Sequence, residues 1–420
     1  MKLILLAVAS CALTWASCTR ELVVEVTNPT GLERIYETVE IPWAKVESAL
    51  PGVAPQEVVV LTPDGDTLPC QAVTLGEETP QSLIFQISLI GDASEKYQIR
   101  KGRPAPPTPQ VFGRLVPERM DDFAWENNLI GFRMYGPALQ ATGEISNGID
   151  IWQKRTRDLV VDKWYKNGDY HTDHGEGLDC YKVGRTLGAG AMAPYLNDTV
   201  WLGNNFVESR ILDNGPIRIT FELTYAPYRV GDRPVTEKRI ISLDANTRFN
   251  RVTEIYDRSM EAAAGIVLRD GGERMQDGHC IAYWEPAAGN DGNTGIGVVF
   301  PEGIAQSVEN CGHLLALTSV KANEPFTYYT GAGWSKAGTE DAKAWFEEVK
   351  NESARLAAPS CIPPPPPRWS STSGNRPGSF RTKRKGRRCE PPAFTGKIRV
   401  KFFIFRPGYY FCRCNPNPNL

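Results

Sequence analysis

The chain has 420 residues, 41% hydrophobic and 23% charged, a globular composition with enough apolar mass for one large core or two modest ones. Its ten cysteines are scattered rather than dense, which excludes a disulfide scaffold, and Cys412-Arg413-Cys414 is too close and too isolated for a structural zinc site. The net charge of -2 hides two unlike parts: residues 362–420 carry thirteen basic residues and one acid, Glu390, so the rest of the chain is strongly acidic.

Met1 and Lys2 precede the apolar run Leu3 to Leu13, far short of the roughly 20 residues that span a bilayer. Residues 1–18 therefore read as an export signal. Cys18, or alternatively Cys11, ends a stretch like the bacterial lipoprotein processing pattern, which predicts a lipid anchor and a periplasmic or outer-membrane location, with simple secretion as the alternative.

Residues 19–101 read as an N-terminal β region packed on a main domain. Glu21 to Thr27, Glu57 to Leu61, Thr67 to Val73 and Ser82 to Ile90 are its strands, with Pro63 to Asp66 as a turn. Gly102 to Pro109 is a proline-rich connection. The main domain, residues 110–356, begins with charged and aromatic residues interleaved from Arg119 to Tyr135. The strand Ile130 to Tyr135 points Arg133 away from the face of Phe132 and Met134. Arg119, Asp122, Trp125, Glu126 and Arg133 there suit sugar recognition, since aromatic faces cover a ring while charged groups bind its hydroxyls and carboxylate. An ordinary salt-bridged strand end with Trp125 in the core is the competing reading.

A short helix is expected within Leu159 to Tyr165, leaving at Lys166 to Asp169. Next comes HTDHGEGLDCYKVG, His171 to Gly184, with two of the chain's four histidines. Beyond it, runs such as Ile217 to Tyr225, Val235 to Leu243, Phe249 to Tyr256, Cys280 to Trp284, Gly295 to Phe300 and His313 to Val320 alternate, with hairpin-length turns between several of them, and predict large antiparallel sheets. One helix follows, capped near Thr339, with Asp341 in its first turn, and reaching about Leu356. Gly188-Ala189-Gly190 lacks the spacing and βαβ context of a dinucleotide loop. The segment 362–420, with Arg381 to Arg388 at its centre, reads as a disordered or frameshift-derived tail rather than a nucleic-acid-binding arm.

DDFAWENN, IGFRMYGPAL, DHGEGLDCYKVG, GPIRITFELTYAPY and GWSKAG together resemble the exported DUF4861 family of Bacteroidetes, encoded among polysaccharide-degradation genes, over roughly residues 20–356. The resemblance implies a mainly β fold, a large antiparallel β-sandwich similar to the galactose mutarotase-like supersandwich, with a C-terminal surface helix. It also implies a dehydratase acting on the uronate end of an ulvan- or pectin-derived oligosaccharide, leaving a 4,5-unsaturated sugar. A mutarotase or epimerase, a glycoside hydrolase and a non-catalytic glycan-binding lipoprotein are the alternatives.

Elimination needs a base for the C5 proton, an acid for the departing water and positive charge near the carboxylate. His171 and His174 are the expected base and acid, with Tyr181 as a third proton-transfer group. Arg133 is the expected carboxylate clamp, with Lys182 or Arg119 as substitutes, while Glu176 and Asp179 orient an imidazole or bind hydroxyls. No cofactor is expected, although His171, His174, Glu176 and Asp179 are also compatible with a divalent metal, and the motif could equally be a structural glycine turn. Cys180 is expected to be buried rather than nucleophilic. His279 and His313 are expected to be structural, with His279, beside Asp277, the stronger pocket candidate. The sequence leaves the sugar, its linkage and the oligomeric state open.

Overall fold

The two-residue period of a strand, cleanest in Arg218–Thr224, turns one face inward, and the result is a sheet of eight antiparallel strands. In spatial order these are Glu208–Asn214, Arg218–Thr224, Glu237–Asp244, Phe249–Tyr256, Phe326–Trp334, Thr294–Val299, Cys280–Glu285 and Glu273–Gln276. The computed structural model describes residues 20–360. The expected signal, with Cys18 and Cys11, and the basic segment 362–420 lie outside the described residues.

The inner face of this sheet, including Ile219, Phe221, Ile241, Val252, Val298 and Tyr328, shares one core with two smaller sheets side by side. One holds Ala189–Pro194, Met260–Val267, His313–Val320 and Gln306–Asn310; the other, the site sheet, holds Gly177–Leu178, Asp150–Lys154, Ile130–Met134, Asp122–Asn127 and Val111–Val116. A parallel bridge between Ile149 and Gly188 joins the two. Phe123 stacks on Phe221 across the layers, ring centres 4.1 Å apart. The chain is thus mainly β, a large antiparallel sandwich with a C-terminal surface helix.

That helix, Ala342–Ala357, covers the outer face of the eight-stranded sheet. Asp341 is its N-cap, accepting from the Ala344 amide at 2.8 Å, so the cap lies two residues beyond the expected Thr339. Its Trp345 ring sits over Gly295, where a Cβ would come within 2.5 Å of the indole. Gly333, on strand Phe326–Trp334, lies against the same ring, and that strand runs on through Gly331 and Gly333 instead of ending at Thr330.

The N-terminal region has its own core of Val26, Val39, Ile41, Phe85 and Ile99 with neighbours. It grips the main sandwich through Gln71, whose amide bonds the backbone of Ile217 and Arg218, and through Glu40, paired with Arg218 at 2.7 Å. Elements not foreseen include strands Arg34–Pro42 and Ser94–Lys101, the short helix Trp43–Ala49, and strand Asp122–Asn127. The last escaped because its acids, Asp122 and Glu126, are buried beneath partners rather than solvated.

Candidate active site

Alternation along three neighbouring strands places Asp122, Ala124 and Glu126, then Arg133, then Asp150, Trp152 and Lys154 on the outer face of the site sheet, while Phe123, Trp125, Phe132 and Ile151 enter the core. The helix Val161–Asn167 covers this outer face, ending at Gly168 in a left-handed cap, so the expected helix is present. Its Trp164 stacks on Trp152, with Val160 and Val161 alongside. The aromatic layer separates two ionic clusters.

At one end, Lys154 Nζ lies 2.5 Å from Glu126 Oε2 and 2.7 Å from the Asn127 carbonyl, and Glu126 Oε1 accepts from the Val161 amide at 2.6 Å. Glu126 is sealed and fully partnered, which corrects its expected substrate-binding role: it fastens the covering helix. Trp125 is corrected too. Its indole donates to Asn250 at 2.8 Å and stacks on Phe132 in the core, leaving no ring face for a sugar.

At the other end is Arg133, 3% exposed. Its Nη2 lies 2.5 Å from Asp150 Oδ2 and 2.7 Å from Asp179 Oδ2, its Nε is 3.9 Å from Asp122 Oδ2, and its guanidinium lies over the Tyr135 and Trp152 rings. Burial opposes its charge, but Asp150 and Asp179 outweigh burial and hold it protonated. Asp150 and Asp179 share Nη2, while Nε and Nη1 are buried without a hydrogen-bond partner. Burial, rather than occupied donors, keeps the expected clamp from a carboxylate arriving from solvent. Burial pushes Asp122 up to about 6 against the pull of Arg133, and raises Asp150 and Asp179, the latter further by Asp150.

This cluster reaches solvent through His171 and Arg119. His171 Nδ1 lies 2.8 Å from the Asp179 carbonyl and 3.6 Å from its carboxylate, with 63% of the side chain exposed. A carbonyl only accepts, so Nδ1 carries the hydrogen and Nε2 the lone pair of the neutral ring. Tyr170 packs against His171, ring centres 4.5 Å apart, and stacks on Trp152. Arg119, one-third exposed, is 3.6 Å from Asp122 and interacts with Tyr170. Asp150, Tyr135 and Tyr170 were not foreseen here; the alternation of Asp150 with Lys154 on the face of Arg133 was the available signal.

The rest of the motif folds as a loop around the short strand Gly177–Leu178. A Cβ at Gly177, φ +130, would fall 1.9 Å from the Gln153 carbonyl, so only glycine fits. Asp173 accepts from the Gly175 and Gly177 amides and pairs with Arg155 at 2.8 Å. Glu176 pairs with Lys163 at 2.6 Å, which holds its carboxyl below the usual range and makes it a loop clamp rather than a sugar ligand. The turn carries His174 outward to Asp169 at 3.1 Å, both well exposed, so His174 does not meet Arg133 or His171 as an acid partner. Lys182 is exposed, and Tyr181 turns inward, its hydroxyl buried without a hydrogen-bond partner. Burial, reinforced by nearby carboxylates, pushes the Cys180 thiol up to about 12, against a nucleophilic role.

Among the described residues, no group of three or more His, Cys, Asp or Glu side chains is arranged to hold a metal ion. His313 is a core histidine: Nδ1 donates to the Cys311 carbonyl at 2.7 Å and Nε2 accepts from the Leu187 amide at 3.0 Å. His279 leans on the Pro301 carbonyl at 3.2 Å, its amide held by Asp277. Two open clefts, about 600 Å³ beside Arg210 and Glu222 and about 670 Å³ beside Arg100 and Arg103, are lined without any histidine.

Comparison with known proteins gives a relative in Formosa agariphila, "Uncharacterized protein P7", 30% identical over 391 residues, covering 85% of this chain and 98% of that protein. Two Enterococcus faecalis structures, a protein in glycosyl hydrolase family 38 and an alpha-mannosidase, are similar over 80% of this chain at 10% and 9% identity, with TM-scores of 0.47 and 0.46. The chain spans 47% and 45% of those two structures, and likeness at that level carries no argument about activity. The model of a domain of unknown function, DUF4861, matches residues 26–362, and this chain belongs to the DUF4861 family.

Proposed function

We propose that the protein is a carbohydrate-active dehydratase that removes water from the uronate end of an oligosaccharide derived from ulvan or pectin. The observation that carries this reading is His171, an exposed imidazole whose Nδ1 is held by the Asp179 carbonyl at the mouth of a buried arginine–carboxylate cluster. Nε2 takes the C5 proton, the electron pair forms the C4–C5 double bond, the C4 hydroxyl takes a proton from solvent as it leaves as water, and the imidazolium then returns its proton to solvent. The Asp179 carboxylate, 3.6 Å away, steadies the imidazolium that results. Arg119, partly exposed and only loosely paired with Asp122, supplies positive charge for the uronate carboxylate in place of the enclosed Arg133. Tyr170 offers an aromatic edge for the ring. A lipid anchor at Cys18 would hold the enzyme in the periplasm or at the outer membrane, where imported oligosaccharides are met.

Incubation with ulvan and pectin oligosaccharides tests the reading. An increase in the ultraviolet absorbance of an unsaturated uronate, with loss of one water from the product mass, is expected, and His171→Ala should abolish both. A product of unchanged mass with altered stereochemistry would establish epimerisation instead, and glycan binding that survives His171→Ala without any product would establish a binding module.

A further inference from the structure

The N-terminal region carries a concentration of positive charge where strand Ser94–Lys101 ends and the proline-rich connection begins. Arg100 and Lys101 close the strand and Arg103 follows just beyond it, so three cations fall within four residues. All three are exposed, and all three line the open cleft of about 670 Å³. The remaining lining is uncharged, with Val59, Leu68, Pro104 and Pro107 among it, and no carboxylate enters it. This cationic cleft stands on a chain that is strongly acidic outside residues 362–420.

Two of the three cations are left unspent. Lys101 lies 2.9 Å from Glu57, whose carboxylate also accepts from the Ala54 amide at 3.2 Å and is held below the usual range by the Lys101 bond. Arg103 acts on that carboxylate only through space. Glu21 stands across the strand pair from Arg100, yet among the described residues neither Arg100 nor Arg103 makes an ion pair or hydrogen bond through its side chain. The Cys70 thiol in the lining bonds the Val58 carbonyl at 3.6 Å and is pushed up to about 11 by burial, so it stays neutral and brings no negative charge. Charges of one sign in a concavity with apolar walls focus their field and concentrate counter-ions there. A guanidinium adds a planar fork that matches a carboxylate or a sulfate ester.

We infer that this cleft is a non-catalytic binding site for an anionic sugar chain, one bearing carboxylates or sulfate esters. Arg100 and Arg103 take the anionic groups, while Leu68 and Pro104 offer apolar surface to the C–H side of a sugar ring. Its volume lies within the range of small-ligand sites. Other polyanions fit less well. A nucleic-acid strand needs aromatic platforms for its bases, and no aromatic residue lines the cleft. An anionic membrane is flat and is held by clusters of about four to eight basic residues, whereas these three line a concavity. None of the lining residues belongs to the His171 cluster, so the inference stands whether or not that cluster performs elimination.

Segment 362–420 carries thirteen basic residues and attracts the same anions, so the test needs a local readout. Amide hydrogen exchange on the full-length chain, at about 0.15 M salt, provides one. The probes are a galacturonate oligosaccharide, a sulfated galactan oligosaccharide free of uronate, and its neutral galactan counterpart. Exchange at Thr67, Leu68, Cys70, Lys101 and Arg103 should slow with an anionic probe and not with the neutral one. Protection by galacturonate alone marks a carboxylate site, by the sulfated galactan alone a sulfate site, and by both a site for either group; each supports the proposal. In Arg100→Ala/Arg103→Ala, checked for folding by thermal melting, the probe concentration giving half-maximal protection should rise about tenfold or more for each arginine removed. Protection that never appears, that the neutral probe matches, or that persists in the double variant overturns the proposal. Equal protection by inorganic sulfate at the same concentration, or stronger protection by single-stranded DNA or by vesicles of phosphatidylserine and phosphatidylcholine, overturns the sugar chain as the ligand.

Discussion

Two buried arginines organise this protein, and only one of them leads to a surface. Arg239, inside the sandwich, lies 2.5 Å from Glu254 and 2.7 Å from Glu237, all three fully buried, with Tyr228 bonded to Glu237 at 2.7 Å. Arg133 is built alike, one cation facing several carboxylates under aromatic rings. In both places burial raises carboxyls against the pull of the arginine: Glu254 is pushed up to about 8, and Asp122 to about 6. The difference is the exit. Asp179 hands the Arg133 cluster on to an exposed imidazole, and Asp122 hands it on to Arg119, whereas the Arg239 cluster ends in the Met192 and Asn147 carbonyls. Perturbed carboxylates alone therefore do not locate an active site; a perturbed cluster with a solvent-facing proton acceptor is the stronger candidate.

The sharpest way to break that comparison is at the exits. His171→Ala should cut elimination by about 10² to 10⁴-fold with little change in melting temperature, because the side chain is largely exposed. A variant with unaltered rate would place the chemistry elsewhere. At the sealed cluster the effect should be on stability instead. Arg239→Met leaves two buried glutamates facing each other, at a cost of about 3–5 kcal/mol in urea unfolding, and an unchanged midpoint would deny the ionic description.

A gentler experiment reads the proton held inside. Glu237 and Glu254 both have raised values, so the folded protein binds protons that the unfolded chain releases above the ordinary carboxyl value of 4.5. Their stabilising contribution is full below that pH and is lost as pH rises through about 8 for Glu254. Glu254→Gln should flatten this decline, and an identical pH–stability curve would count against a protonated pair. Smallest of all, Glu176→Ala at the half-exposed Lys163 pair should cost about 0.2–1 kcal/mol. His174→Ala should leave the rate near that of the wild type, and a loss as deep as that of His171→Ala would restore His174 to the chemistry.

The sequence by itself determined the architecture's raw material. The two-residue period of a strand is a local property, and the strand ranges Phe249–Tyr256 and His313–Val320 stand as read. The same rule placed Arg133 on the face opposite Phe132, and the glycines of the motif announced a turn. Only the tertiary structure decided which polar residues are spent inside. Trp125, Glu126 and Glu176 have the chemistry of a sugar site, yet their partners Asn250, Lys154 and Lys163 come from other elements and satisfy them. Asp150 and Glu285 look like ordinary strand acids until distant strands bring Arg133 and Arg269 against them. A side chain's role depends on who neutralises it and on whether water reaches it, and both are set by contacts between residues far apart in the chain.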